Sequence, residues 1–181
     1  MKPKTAEQRG TFFSADRVYR YTLWREWGTG TLPILQPNHG ANSYVMFIGL
    51  NPSTADETKD DPTIRKCIGF AKRWGFGSLC MTNLFAYRST DPRKMKDHPN
   101  PIGDDNDLWL ACCARSAGMI VAAWGRDGQH LKRDLAVMQI LKDVHCLGLN
   151  NDGSPKHPLY VPYGTVVMQL QQPPKRGTPV W

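Results

Sequence analysis

The sequence predicts an α/β fold: a three-layer α/β/α arrangement around a central four- to five-stranded, mostly parallel sheet, with an antiparallel hairpin at its N-terminal edge. Three observations carry this expectation. The apolar run Tyr44-Val-Met-Phe-Ile48 passes straight into Gly49-Leu-Asn-Pro-Ser53, as expected of a strand covered on both faces. Ile64, Cys67, Ile68, Ala71 and Trp74 share one helical stripe with basic residues opposite, and a strand-like stretch, Ser78–Phe85, follows to complete a βαβ unit. Helical and strand-like patterns then keep alternating to residue 147, the signature of a parallel sheet.

The elements follow in order. In Asp16–Trp27, Val18, Arg20 and Thr22 alternate with Tyr19, Tyr21 and Leu23, which predicts a half-exposed strand. Gly28-Thr-Gly-Thr-Leu-Pro33 breaks it, and a short return strand is expected to complete the edge hairpin before the buried strand at 44–49. Asp61 or Thr63 caps the helix at 63–74, Pro62 suits its first turn, and Gly75 and Gly77 end it. Residues 86–101 read as a loop without periodicity, a length that in a compact domain points to function or mobility. A helix over about 104–117, a strand at 119–124, a helix ending near Leu141 and a fourth parallel strand at 144–147 complete the sheet. Residues 1–172 are expected to form one domain, and the proline-containing stretch 173–181 an extended or disordered tail.

Composition narrows the function classes. No apolar run approaches membrane-spanning length and the polar N-terminal stretch is unlike a secretory signal, so a cytoplasmic location is expected. The five cysteines form no Cys-x-x-Cys pair, and neither metal nor cofactor is expected. Gly125-Arg-Asp-Gly128 falls short of a dinucleotide fingerprint. With 23 basic against 16 acidic residues the net charge is +7. A nucleic-acid surface and an ordinary solvated one both fit that charge, because the basic residues are spread along the chain.

Four polar clusters each sit just past an apolar run: Gly49-Leu-Asn-Pro-Ser53, Thr82-Asn-Leu-Phe-Ala-Tyr-Arg88, Trp124-Gly-Arg-Asp-Gly128 and Ser154-Pro-Lys-His-Pro-Leu-Tyr160. A parallel sheet would gather them at the carboxyl ends of its strands, where open α/β sheets place ligands. Their order and spacing over residues 44–162 resemble the uracil-DNA glycosylase superfamily, in particular its mismatch-specific and single-strand-selective branches. The chain also resembles an uncharacterised bacterial and phage family, a domain of unknown function with Gly-Leu-Asn-Pro-Ser and His-Pro-Leu-Tyr motifs.

The glycosylase resemblance implies a partner, DNA, and a reaction, hydrolysis of the N-glycosidic bond of a damaged or modified base. It assigns Asn51 to the attacking water, Asn83 to the base edge, and His157 to the charge developing on the base. Phe85, Tyr87 and Leu50 are the expected base-binding partners, and Ser53, Arg88, Lys156, Leu159 and Tyr160 the expected nucleic-acid contacts. Asp56 is a candidate for activating water, for a ribose hydroxyl or for a metal-bound phosphate. Physically, departure of a base leaves positive charge on the sugar and negative charge on a base oxygen, so an aligned water and a donor at that oxygen are the groups required. Local structural readings stand beside these: Asn51-Pro-Ser53 as an Asx-type turn, His157 as a turn residue, and Asp60 and Asp61 as helix N-terminal charges. Two other function classes also stand beside the glycosylase reading: a catalytically silent nucleic-acid-binding module, and an enzyme acting on a free nucleotide.

Overall fold

The strand read first, β3 (Tyr44–Gly49), is buried along its whole length. A computed structural model describes residues 8–27 and 44–171. Around β3 lie β1 (Gln8–Phe13), β2 (Arg20–Glu26), β4 (Ser78–Asn83), β5 (Met119–Ala122), β6 (Val144–Cys146) and β7 (Met168–Gln169), in one sheet ordered β1-β2-β4-β3-β5-β6-β7. The central β4-β3-β5-β6 run is parallel, while β1–β2, β2–β4 and β6–β7 are antiparallel. The fold is therefore α/β, and the expectation of a four- to five-stranded, mostly parallel sheet is corrected to a mixed sheet of seven. The added strands lacked a pattern to read: β1 opens with Gln8-Arg9-Gly10 and β7 is two residues long.

The N-terminal hairpin differs from expectation too. The predicted break at Gly28–Pro33 and the return strand after it lie outside the described residues, as does the predicted tail. β2 pairs instead with the preceding β1 and, on its other side, with β4. It is thus an interior strand, and all seven of its residues are buried, Arg20, Thr22, Arg25 and Glu26 among them. Alternation of polar and apolar residues read as half-exposure; the neighbours on both edges and both faces overrode it.

Helices cover the sheet through two clusters. Val45, Phe47 and Met81 pack with Ile64, Cys67, Phe70 and Ala71 of α1 (Pro62–Arg73). Tyr44, Met46, Ile48 and Ile120 pack with Leu110 and Cys113 of α3 (Asn106–Ala114) and with Val137 and Met138 of α4 (Arg133–Ile140). The period-two alternation along β3 divides its side chains between these clusters. A short helix, α2 (Pro92–Asp97), lies within the stretch read as loop, capped by the Asp91 side chain, which accepts from Arg93 N. No helix among the described residues is long and apolar enough to cross a membrane.

This topology positions a site. The chain leaves β3 toward β4 and leaves β5 toward β6, in opposite directions, so a crevice opens beyond the carboxyl ends of these adjacent strands.

Candidate functional site at the β3–β5 switch point

A cleft of about 380 Å³ occupies that crevice. Its β3 side is Gly49, Leu50, Asn51 and Ser53; its β5 side is Trp124, Gly125, Arg126 and Asp127. Asp61 and Thr63 at the start of α1, Asn83 at the end of β4, Arg20 of β2, and His157 with Tyr160 complete most of the wall.

The loops after β3 and β4 are zipped together beyond the strands. Leu84 N donates to Gly49 O and Phe85 N to Leu50 O, both at 2.9 Å, and Ser89 N donates to Pro52 O at 2.9 Å. Asn51 reinforces the zip, since its Nδ2 donates to Ser89 O at 2.8 Å and Pro52 O at 3.1 Å. The side chain thus ties two loops through its amide nitrogen, which corrects the expected Asx-type turn, where the oxygen would accept from Ser53 N. Its Oδ1 makes no hydrogen bond to the described residues.

Asn83 is oriented by charge. Its Oδ1 accepts from Arg20 Nη2 at 3.3 Å, and because a guanidinium has only donors, the amide must turn its oxygen to Arg20 and its N–H groups elsewhere. Nδ2 lies on the Gly49 side, so close that a Cβ there would meet it at 2.8 Å. The end of β4 is held from beneath, where Asn106 Nδ2 donates to Asn83 O at 3.1 Å and Leu84 O at 2.9 Å.

Arg20 is 2% exposed and forms no ion pair with a carboxylate of the described residues. Nη1 donates to Ala55 O at 2.8 Å, while Nε is buried without a partner among the described residues. Burial pulls its pKa down to about 10, which leaves it cationic at neutral pH. Arg25 of the same strand contrasts with it, since Asp60 meets its guanidinium at 2.7 Å.

His157 begins the Pro158–Tyr160 turn, and its Nδ1 accepts from Leu159 N at 3.3 Å. That bond assigns the neutral tautomer with the proton on Nε2. Burial lowers the histidine pKa, with the Asp61 charge opposing, so the ring is a neutral N–H donor at pH 7. Asp61 caps α1, its Oδ1 accepting from Ile64 N at 2.8 Å; Oδ2 makes no hydrogen bond to the described residues.

Six of the expected site residues therefore line one cleft: Leu50, Asn51, Ser53, Asn83, His157 and Tyr160. The others lie elsewhere. Asp56 Oδ1 accepts from Thr58 N, Thr58 Oγ1 and Lys59 N at 2.8–2.9 Å, a turn that drives its pKa down to about 2. Phe85 is fully buried in the core against His130, and Tyr87 stacks on His98 with ring centroids 3.9 Å apart. Arg88 lines a neighbouring groove, and Lys156 and the partly exposed Leu159 sit outside the cleft wall. Arg20, Asp61 and Trp124 belong to the cleft and were absent from the expected set. Asp61 was legible only as a cap, Trp124 opened one of the four polar clusters without being singled out from it, and Arg20 carried no sequence signal that its strand was interior.

The family described as protein of unknown function (DUF1643) matches residues 20–159. The chain belongs to this family. The matched span opens at Arg20 and closes one residue short of Tyr160, so it holds every other residue of the cleft wall. No curated protein and no solved structure matches the chain.

Proposed function

We propose that the cleft takes a nucleobase and that the protein hydrolyses the N-glycosidic bond of a damaged or modified base in DNA. The observation that carries the reading is the Arg20-fixed amide of Asn83, which leaves only N–H groups to offer a ligand. Together with the Nε2–H of His157, it supplies donors to the carbonyl oxygens of a base, where negative charge collects as the bond breaks. Asn51 Oδ1 and the free oxygen of Asp61 supply acceptors on the same wall for a water.

In the reaction, the C1′–N bond breaks with its electron pair going to the base. The water oxygen bonds to C1′, and its proton passes to Asp61. The Asp61 charge also opposes the positive charge on the sugar. Trp124 gives the cleft an apolar aromatic wall. A three-layer, uracil-DNA-glycosylase-like topology is part of the same proposal. Its support is the parallel order β4-β3-β5-β6, which in chain order is second, first, third, fourth, and the helices packed against both strand-side clusters.

The test is incubation with short single- and double-stranded DNA carrying uracil, hydroxymethyluracil or mismatched thymine, with released base read by mass spectrometry. Base release that vanishes in His157→Gln and Asn83→Asp is expected. DNA bound with every base intact would replace this reading by a catalytically silent nucleic-acid-binding module. Saturation by mononucleotides with indifference to DNA would replace it by an enzyme of free nucleotides.

A further inference from the structure

Beside the cleft runs a second groove of about 510 Å³, and Ser53 lines both. Its wall carries Arg17, Arg88 and the hydroxyl residues Ser53, Thr54, Ser89 and Thr90. Both guanidinium carbons lie over the ring of Phe13, Arg17 at 4.0 Å and Arg88 at 4.8 Å from its centroid. One aromatic ring thus gathers two like charges.

Their compensation is incomplete. Arg17 Nη2 meets Glu57 at 2.9 and 3.1 Å, across an exposed pair. Arg88 forms no ion pair among the described residues. Its side chain donates once, from Nη1 to Arg17 O at 3.3 Å, and its Nε is buried without a partner there. The other carboxylates of the surrounding loops are engaged elsewhere: Asp16 with Val18 N at 3.1 Å, Asp56 in its turn and Asp91 with Arg93 at 3.1 Å. Two guanidiniums against one carboxylate leave a positive groove, and forked donors beside hydroxyls suit the oxygens of a phosphate.

We propose that this groove seats a phosphate ester of the nucleotide whose base occupies the cleft, with Arg17 and Arg88 as its cationic contacts and Ser53 at the junction. The proposal rests on the nucleobase reading and adds to it a subsite built by the β1–β2 hairpin, whose Phe13 and Arg17 precede the family-matched residues. The phosphate displaces Glu57 from Arg17 when it binds.

The probe is a fluorescein-labelled single-stranded DNA of about 15 nucleotides, a length within the usual single-strand site sizes, followed by anisotropy over a salt series. Arg17→Ala, Arg88→Ala and the double variant are compared with Lys142→Ala, at the opposite end of the sheet. Each groove variant is expected to weaken binding about tenfold at low salt and to flatten the salt slope by about 0.7, the value for one phosphate on a single strand. Lys142→Ala leaves both unchanged. Arg17 is half exposed, so its variant tests the groove without opening the core; thermal melting checks Arg88→Ala, and Arg88→Lys, which keeps the charge and loses the fork, falls between.

Competition by deoxyuridine monophosphate against deoxyuridine tells the sources apart. A free nucleotide as the source gives Arg17-dependent competition by the monophosphate, and a polynucleotide gives competition by oligomers alone. Unchanged affinity and slope in both Arg17→Ala and the double variant would overturn the proposal. Base release by the wild type alongside that null result removes the subsite and keeps the glycosylase reading. Arg17-dependent binding without base release does the reverse.

Discussion

Arg20 Nη2 donates to Asn83 Oδ1 at 3.3 Å, between two side chains each 2% exposed, and this bond fixes which face of an amide the cleft receives. Asn83→Asp separates architecture from recognition. The carboxylate gives the buried Arg20 an ionic partner, so the variant is expected to fold. The group facing the ligand changes from donor to acceptor, and base release from uracil-type substrates is expected to fall by about 10²-fold or more, the usual loss for one charge-stabilising donor. Retained release at wild-type rates would show that Asn83 does not read the base. Arg20→Met leaves the Asn83 oxygen without its donor in a buried place and is expected to lower stability by about 1–3 kcal/mol, measured by denaturant unfolding.

His157 gives the cleft a pH dependence of known sign. Burial lowers its folded pKa below the unfolded value, so between the two values the unfolded chain binds more protons, and stability rises with pH. The stability is fully present above the unfolded histidine pKa and is lost as pH falls through it toward the folded value. Melting temperature measured between pH 7.5 and pH 5 should fall less steeply in His157→Gln than in the wild type. Parallel curves would mean that the ring titrates as if exposed.

Asp61 has two oxygens and two separable duties. Oδ1 caps α1 through Ile64 N at 2.8 Å, and asparagine caps as well as aspartate does. Asp61→Asn is therefore expected to keep stability within about 0.5 kcal/mol, whereas Asp61→Ala loses about 1 kcal/mol with the cap. Both remove the carboxylate from the cleft, so both should lose base release alike. Loss in Asp61→Ala alone would assign the aspartate to the helix and nothing more.

How much of this was legible in the sequence follows from how local each signal is. β3 and α1 were, because an unbroken apolar run and a one-sided stripe each state their own burial. The six-residue α2 was not, although Asp91-Pro92 is a cap followed by a first-turn proline; with one buried residue, Met95, it has no stripe to detect. Six site residues were gathered by topology, since each lies at or just beyond a strand end or in the late turn. Arg20 escaped because its role depends on β4 lying beside β2, a pairing across more than fifty residues with no local trace. Phe85 misled in the opposite sense: one residue past Leu84, the chain has turned and its ring faces the core.

Gly128 sets the position of the cleft's aromatic wall. A Cβ there would meet the Trp124 ring edge, 2.8 Å from Nε1, and the packed indole, 3% exposed, has little room to give. Gly128→Ala is expected to cost about 1–3 kcal/mol as overpacking and to shift the tryptophan emission, because the ring must move toward the cleft. Gly153→Ala, where nothing lies within 4 Å of the added carbon, is the contrast: its φ of +80° strains the backbone without touching the wall. Equal emission shifts in the two variants would remove Gly128 from the wall's geometry.

Asn51 is the residue on which loop tie and chemistry compete most directly. Its Nδ2 holds Ser89 O at 2.8 Å and Pro52 O at 3.1 Å; Pro52 O keeps its bond from Ser89 N, so Asn51→Ala strips the side-chain donor from Ser89 O and is expected to cost about 1–3 kcal/mol. Loss of activity alone thus says little. The informative comparison is base release well below the melting transition, where the variant is still folded by circular dichroism. If Asn51 Oδ1 aligns the water, release falls by about 10²-fold there, with oligonucleotide affinity nearly intact, because the lost interaction belongs to the transition state. If the asparagine only ties the two loops, release at low temperature stays within a few-fold of wild type and the whole effect appears as a lower melting temperature.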